Sequence, residues 1–229
     1  MVHDIAIIGA GLAGLSTAKT LRQFGFEVTV FEKEADIGGV WSASRRYPGL
    51  TTQNPRETYA FSDWPMPADY PEWPSGAQVQ AYLETYVDHF GLRNSIHLGC
   101  EVTAARPVGD GSGRWTIESR SVADGSVETK AFDYLIVCNG IFSIPAIPPY
   151  PGSDAFRDAG GQILHTSQFT DPEIARGRNL LVVGYGKSSC DVARACMEVA
   201  ASTSVIARSI IWKIPKKLAN KLNFKHLFL

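Results

Sequence analysis

The 229-residue sequence has few cysteines, little net charge and no long apolar run. Its four cysteines contain no CxxC pair and follow no zinc-ligand spacing, so we expect packed apolar side chains in a reducing compartment. They are Cys100, Cys138, Cys190 and Cys196. The formal net charge of −1 gives no overall attraction to nucleic acid or to anionic lipid. These absences exclude a disulfide scaffold, a cysteine-based zinc module and a generally basic nucleic-acid surface.

Membrane and export signals are also missing from the sequence. No apolar stretch reaches the roughly 18 residues that a membrane span needs. The N-terminus carries Asp4 where a secretory signal has basic residues, and glycines interrupt its apolar run. We therefore predict a cytoplasmic protein, and its 45% of hydrophobic residues suffices for one large domain or two small ones.

The first 33 residues contain a strand, a turn, a helix and a second strand. Residues 5–8 form a short apolar run that is typical of a parallel strand covered on both faces. Apolar residues then recur at helical spacing, and the run EVTVFE favours another strand. The pattern predicts a βαβ unit.

A GxGxxG fingerprint lies between this strand and helix. Its glycines suit a tight turn, the close approach of the backbone to a pyrophosphate, and contact between helix and strand. The pyrophosphate would meet the helix N-terminus, whose free N–H groups and dipole favour an anion. The residues expected to form this cradle are Gly9, Ala10, Gly11, Leu12, Ala13 and Gly14.

Glu32 ends the second strand of the unit. Its carboxylate would accept hydrogen bonds from ribose hydroxyls and repel a 2′-phosphate, which selects FAD or NAD over NADP. The chain then continues with Gly38, Gly39, Val40 and Trp41 and a proline-rich, aromatic segment, where a plain NAD domain would continue into a helix. Such a segment can wall a flavin. The alternative is a Gly-Gly loop with a tryptophan in the ordinary core.

These features resemble the flavin-containing monooxygenase family, whose members carry a GGxW segment after the ribose-binding acid. The likeness continues in YPGLTTQNPRETYAFSDWPMP. The resemblance implies that Glu32 and Lys33 lie beside the adenosine ribose and that the backbone of Val102 meets the adenine. It further implies that the cofactor is lined by Gly39, Val40, Trp41 and Thr52.

The middle of the chain predicts scaffold. The segment SGAQVQAYLETYVDHFGL has an apolar stripe at helical spacing, ended by Gly91. Three runs separated by glycine-rich turns then predict an antiparallel meander. The run DYLIVCNG predicts a further buried strand, and a proline-rich extended segment leaves the domain.

A second glycine-rich unit begins at residue 179 and repeats the first. Ser189 replaces the third glycine, and the second strand ends in Arg208 and Ser209 instead of an acid. A guanidinium there can bind a 2′-phosphate bidentately, so this site is expected to prefer NADPH; the alternative is a solvated surface arginine. The family resemblance places the NADP phosphates over the turn and the helix start, at Gly184, Gly186, Ser188, Ser189, Cys190 and Asp191.

Between the two units, Gly161, His165 and Phe169 match the GxxxHxxxF part of the monooxygenase fingerprint. Ala159 stands where the family has phenylalanine. Phe169 favours the flavin-containing monooxygenase version over the Baeyer-Villiger version, which has tryptophan. We interpret His165 as a residue that fixes the linker and lies near the cofactors.

The expected fold class is α/β, with two Rossmann-like units on parallel sheets and an antiparallel meander. The expected domains are an FAD-binding domain (1–150), a linker with the fingerprint (151–175) and a partial NADPH-binding domain (176–229). Since two parallel strands cannot bury both faces, we expect an incomplete chain. Its lysine-bearing tail is either an amphipathic membrane-surface helix or a severed connection to missing sequence.

Two dinucleotide sites suggest hydride transfer from NADPH to FAD. In the family that this chain resembles, reduced flavin takes up molecular oxygen as a C4a-hydroperoxide, which oxygenates a nucleophilic nitrogen or sulfur of a small molecule. A family asparagine near the flavin corresponds here to Gln53, with Asn54 next to it, and either amide could act. Two alternatives stay open: a non-catalytic FAD- and NADP-binding fragment, and a pyridine-nucleotide flavoprotein reductase. The absence of a CxxC pair argues against a disulfide reductase of that second class.

Overall fold

The computed structural model describes residues 3–213, 215–219 and 221–223, which form two compact units. One unit contains the residues up to 45 together with 77–144, and the other contains 46–76 together with the residues from 145 onward. The helices are α1 Leu12–Gln23, α2 Arg56–Tyr59, α3 Gly76–His89, α4 Ser153–Asp158 and α5 Lys187–Cys196. The strands are β1 Asp4–Ile8, β2 Glu27–Phe31, β3 Ile96–His97, β4 Cys100–Pro107, β5 Trp115–Ser121, β6 Val127–Phe132, β7 Tyr134–Val137, β8 Asn179–Val183, β9 Ser202–Ile206, β10 Lys217–Leu218 and β11 Leu222–Asn223.

The first unit is built on a parallel sheet of order β3-β2-β1-β7. β1, α1 and β2 form the predicted βαβ unit, with Ile5 opposite Val28 in the register. The predicted helix is confirmed as α3, which buries its apolar stripe. That stripe consists of Val79, Tyr82, Leu83, Tyr86 and Val87.

The antiparallel meander is also confirmed, as a separate sheet of order β4-β5-β6. It packs on the parallel sheet through a cluster of buried side chains that includes Phe31, Ile117 and Phe132. The rings of Phe31 and Phe132 meet edge to face with their centroids 5.8 Å apart.

The prediction that β7 is buried is wrong. β7 is an outer strand of its sheet, and its only strand neighbour in the described part of the chain is β1. Tyr134 is 54% exposed and Val137 is 60% exposed. The apolar run identified a strand correctly, but hydrophobicity alone does not show what covers it.

The second unit repeats strand, helix and strand in β8, α5 and β9, with β8 and β9 parallel. Its core contains Phe169, Ala175, Val182, Val192 and Cys196, so one of the four cysteines is buried while the other three are intermediate. The outer face of this two-stranded sheet is open in the described residues, because Leu181 and Ile206 are 53% and 54% exposed. Two parallel units and one meander together confirm the expected α/β fold class.

Two further findings concern the chain between and after these elements. Residues 46–76 pack with the second unit, although the sequence analysis placed them in a domain of residues 1–150; that ligand-based division stays a prediction. The described part of the tail forms the hairpin β10-β11, so its interpretation as an amphipathic helix is wrong there. Residues 224–229 lie outside the described residues. Among the described helices, none has the length and apolar character to cross a membrane.

Candidate dinucleotide-binding sites

The first glycine turn joins β1 to α1 through a backbone that only glycine adopts readily. Gly9 has φ +103°, and its N–H donates to the carbonyl oxygen of Phe31 at 2.8 Å. A Cβ on Gly9 would lie 2.6 Å from the carbonyl oxygen of Cys138. A Cβ on Gly14 would lie only 1.8 Å from the carbonyl oxygen of Gly9. Both positions therefore require glycine for conformation or packing.

Gly11 differs from these two glycines. Its φ of −83° is open to any residue, and the nearest atom to a Cβ there would be the Cα of Gly39 at 3.7 Å, an ordinary contact. Gly11 is the N-cap of α1, which has no side-chain cap and no acidic residue in its first turn. The helix N-terminus thus offers N–H groups and a positive dipole end to an anion, and the missing Cβ allows close approach.

Glu32 lies directly beside this turn. Its side chain is buried, at 7% exposure, and its two oxygens accept the N–H groups of Ala10 at 2.8 Å and Glu34 at 3.0 Å. No described cation pairs with the carboxylate. Each oxygen keeps a second lone pair, so the group can still accept hydrogen bonds from a diol.

The Gly38-Gly39 bend packs against the first turn. Gly38 has φ +123°, and its N–H donates to the carbonyl oxygen of Ala10 at 3.0 Å. After the bend, Val40 is 41% exposed and Trp41 is 6% exposed. Val40 is thus accessible to a ligand, whereas the Trp41 indole lies in the core; its predicted role in lining a cofactor stays a prediction.

Asp36 organises the same bend, and the sequence analysis missed it. Its carboxylate accepts the N–H of Ala43 at 2.7 Å, the hydroxyl of Ser44 at 2.9 Å and the side-chain amide of Gln80 at 2.6 Å. Its position two residues before a Gly-Gly pair was the available signal, since aspartate commonly ties down turns.

Two other residues of the first unit that were predicted to bind the cofactor are Lys33 and Val102. The ammonium of Lys33 donates to the carbonyl oxygen of Ser143 at 3.0 Å. Val102 lies at a bulge of β4 and packs against the cluster that joins the two sheets.

The second glycine turn repeats the backbone path of the first. Gly184 has φ +122°, and its N–H donates to the carbonyl oxygen of Ile206 at 2.8 Å. A Cβ on Gly184 would lie 2.9 Å from the hydroxyl oxygen of Ser189, so this serine fills the space beside the turn. Gly186 has an ordinary φ of −78°, and a Cβ there would meet nothing within 4 Å. Neither conformation nor packing explains this glycine, whereas close approach by a ligand would.

The residues after β9 carry the basic group expected for a 2′-phosphate. Arg208 and Ser209 follow the strand end and are exposed. The sequence analysis missed Lys213, whose ammonium donates to the carbonyl oxygen of Tyr185 and lies 4.7 Å from the centre of that ring. Several lysines follow Lys213 closely in the sequence, so nothing in the sequence distinguished it from them.

Asp191 is engaged by side chains of its own unit. Its Oδ2 accepts hydrogen bonds from the ammonium of Lys187 and, at 3.1 Å, from the hydroxyl of Tyr47. Burial, together with the Asp191 charge, raises the pKa of Tyr47 to about 12, so this phenol stays protonated. Ser188 and Cys190 lie in the same helical stretch and are half-buried.

The predicted catalytic amides lie in the segment that contains Tyr47. Gln53 and Asn54 are exposed, and neither side chain hydrogen-bonds to another described residue. Thr52 is fully buried, and its hydroxyl has no hydrogen-bond partner within the described ranges. The predicted contact of Thr52 with the cofactor stays a prediction.

The fingerprint residues have structural contacts. Nδ1 of His165 accepts the N–H of Ser167 at 3.2 Å, and the N–H of His165 donates to the side chain of Gln168, which closes a capping box. A Cβ on Gly161 would lie 2.3 Å from the ring of Phe156. These contacts support the linker-fixing interpretation of His165, and its proximity to a cofactor stays a prediction.

Comparison with known proteins places the chain in a family. Residues 2–228 match the flavin-binding monooxygenase-like family. The mouse protein named dimethylaniline monooxygenase [N-oxide-forming] 4 is 32% identical over 228 residues, which cover 94% of this chain and 40% of that protein. The chain therefore spans about 40% of the length of this curated relative.

Solved structures show the same architecture. The S-allyl-L-cysteine S-oxygenase of Allium sativum has a TM-score of 0.77 and 29% identity, covering 95% of this chain and 54% of that one. An oxidised steroid monooxygenase bound to NADP has a TM-score of 0.77 and 28% identity, covering 94% of this chain and 40% of that one. Because these similarities cover 95% and 94% of this chain, they extend over both of its βαβ units.

Proposed function

The chain belongs to the flavin-binding monooxygenase-like family, and we propose that it binds FAD and NADPH and serves a monooxygenase that oxygenates a nucleophilic nitrogen or sulfur of a small molecule. The names of two relatives, an N-oxide-forming monooxygenase and an S-oxygenase, support this substrate class. Molecular oxygen is the second substrate.

FAD is assigned to the first unit. The observation that carries the proposal is the buried Glu32 carboxylate, which the N–H groups of Ala10 and Glu34 hold beside a glycine turn and an uncapped helix N-terminus. Gly11 and the first turn of α1 would hold the pyrophosphate, and Glu32 would hold the adenosine ribose. When bound, FAD would accept a hydride and activate oxygen.

NADPH is assigned to the second unit. Gly186 leaves open space above the N-terminus of α5, which has no side-chain cap and no acidic residue in its first turn. Arg208, two residues after the end of β9, supplies a cation for the 2′-phosphate. In the register of the two units it corresponds to Lys33, the residue after Glu32. The steroid monooxygenase with a similar fold is described as bound to NADP.

Gln53 and Asn54 are the proposed polar groups of the reaction. Their amides have no partner among the described residues, so they are free to donate to an oxygen atom or to the nicotinamide carboxamide. In this function they would orient the reacting partner through these hydrogen bonds.

Purification with FAD, followed by NADPH titration, tests the proposal. We expect a yellow protein that oxidises NADPH and converts a tertiary amine or a thioether to its oxide. Retained flavin without NADPH oxidation would instead support a non-catalytic nucleotide-binding protein. A colourless, folded protein that does not retain FAD would overturn the assignment of the first unit.

Arg208→Ala tests the second assignment separately. We expect NADPH affinity to fall about tenfold to a hundredfold, as for loss of a charge-assisted phosphate contact, while NADH affinity changes little. Arg178→Ala, another exposed arginine of the same unit, is the matched control and should change neither affinity. Equal losses of NADPH and NADH affinity in Arg208→Ala would remove the case for 2′-phosphate recognition.

A further inference from the structure

The segment that carries Gln53, residues 46–76, is held against the rest of its own unit at two places, by α5 and by the hairpin β10-β11. At the first, Tyr47 donates to Asp191 of α5 at 3.1 Å. Two residues later, Gly49 has φ +79° and comes so close to α5 that a Cβ there would lie 3.8 Å from the carbonyl oxygen of Asp191. The turn after Tyr47 therefore rests directly on the helix.

The second contact is with the hairpin β10-β11. The ammonium of Lys216 donates to the hydroxyl of Thr51 at 3.2 Å and lies 5.0 Å from the centre of the Trp73 ring. Lys217 forms an ion pair with Glu72 at 2.9 Å. Both ends of the segment are thus held by charged side chains of the same unit.

Backbone hydrogen bonds within the segment join its beginning to its end. Thr52 donates its N–H to the carbonyl oxygen of Pro74 at 3.0 Å, and Gly76 donates to that of Leu50 at 2.8 Å. Residues 51 and 75 also form an antiparallel bridge. Gln53 and Asn54 directly follow this closed section, so its position determines theirs.

We propose that Asp191 is a positioning residue, which couples occupancy of the second dinucleotide site to the placement of Gln53 by acting through Tyr47. The inference depends on the proposed function. Lys187 is the first residue of α5, so a bound pyrophosphate would compete with Asp191 for its ammonium. When the Lys187 ammonium turns toward the phosphate, Asp191 loses one of its two hydrogen-bond donors. The Tyr47 hydroxyl is then its remaining donor, and the hydrogen bond between Tyr47 and the carboxylate strengthens.

Coupling of this kind is reciprocal. If bound NADP+ tightens the Tyr47 contact, then the contact raises NADP+ affinity by the same factor. Tyr47→Phe removes only the hydroxyl and should therefore weaken NADP+ binding by at most about fivefold, because the coupling cannot exceed the worth of that one hydrogen bond.

Hydrogen exchange on the purified protein tests the coupling without turnover. The reporters are the N–H groups of Leu50 and Thr52, which donate within the segment to the carbonyl oxygens of Tyr47 and Pro74 and so report how firmly the segment is held. In the unmodified protein we expect NADP+ to slow their exchange by about fivefold. In Tyr47→Phe the exchange should be faster without ligand and should no longer respond to NADP+, while α5 is still protected.

Two further variants sharpen the test. Asp191→Asn keeps an acceptor for Tyr47 but loses the charge, so part of the NADP+ response should survive. Tyr150→Phe removes a hydroxyl of the same unit for which no contact is seen in the described chain, and it should behave as the unmodified protein.

The outcomes separate this inference from the proposed function. Protection of α5 by NADP+ with an unchanged response at Leu50 and Thr52 in Tyr47→Phe would overturn the coupling and leave the nucleotide site intact. Absence of NADP+ protection at α5 would overturn the site itself, and the coupling with it.

In the FAD-loaded enzyme, the coupling also predicts that Tyr47→Phe releases more hydrogen peroxide per NADPH at an unchanged rate of flavin reduction.

Discussion

The two glycine turns follow one backbone path but need glycine for different reasons. In each, the first glycine has a positive φ above 100° and donates its N–H to the second strand at 2.8 Å. The N-cap glycines Gly11 and Gly186 are also alike, with φ near −80° and extended ψ. The turns differ at the third position, where Gly14 touches the turn and Ser189 replaces it.

This difference shows how the three glycines divide their tasks. The first is required by backbone conformation in both units, and the second leaves space for a ligand in both. The third is required only where the helix packs against the turn itself, at a would-be Cβ distance of 1.8 Å in the first unit. A serine at the third position therefore marks a looser junction between helix and turn, with the dinucleotide turn otherwise preserved.

Gly14→Ala should produce the largest effect. An alanine normally favours a helix over glycine by about 1 kcal/mol, but here its Cβ would overlap the Gly9 carbonyl. We expect the free energy of unfolding to fall by roughly 3 kcal/mol or more, with loss of FAD binding. Urea denaturation measures the change, and Gly186→Ala, at the N-cap position of the other turn where a Cβ meets nothing within 4 Å, is the control. Equal stability of Gly14→Ala and the unmodified protein would contradict the described packing.

Glu32→Gln should have the next largest effect. Both carboxylate oxygens accept backbone N–H groups, whereas a glutamine has one acceptor and would turn an NH2 toward the other donor. We expect a loss of about 2 kcal/mol in unfolding free energy and a pale protein that binds FAD weakly. Glu27→Gln, at the exposed start of the same strand, is the control and should retain both properties. Full retention of FAD by Glu32→Gln would show that the charge is dispensable.

The pair Gly11→Ala and Gly186→Ala should affect binding more than folding. Their Cβ atoms would make ordinary contacts or none, so each variant should stay within about 1 kcal/mol of the unmodified protein, the usual range for an N-cap change. We expect Gly11→Ala to lower FAD affinity and Gly186→Ala to lower NADPH affinity, each by at least about tenfold. Calorimetric titration of both cofactors measures the pattern. If either variant weakened both cofactors equally, the separate assignment of the two turns would fail.

Much of this comparison could be predicted from the sequence, because it depends on local pattern. A short continuous apolar run identified β1, the helical spacing of apolar residues identified α1, and runs separated by glycine-rich turns identified the meander. The spacing of Gly9, Gly11 and Gly14 identified the turn. The contact between Tyr47 and Asp191 joins positions 144 residues apart, and no local signal encodes it. The exposure of β7 was likewise unpredictable, since it depends on which elements surround the strand.

Ser189→Ala should have the smallest effect and gives the comparison its finest test. The hydroxyl oxygen of Ser189 lies beside Gly184, and its loss removes one small contact while alanine favours the helix slightly. We expect the free energy of unfolding to change by less than about 0.5 kcal/mol. A drop in NADPH affinity at unchanged stability would then assign the hydroxyl to phosphate binding, and unchanged affinity would assign it to packing.

The double variant Gly184→Ala with Ser189→Gly separates two costs of a side chain at position 184, the clash with the serine hydroxyl and the unfavourable backbone conformation. Because φ at position 184 is +122°, removing the neighbouring hydroxyl should recover little of the stability lost by Gly184→Ala alone.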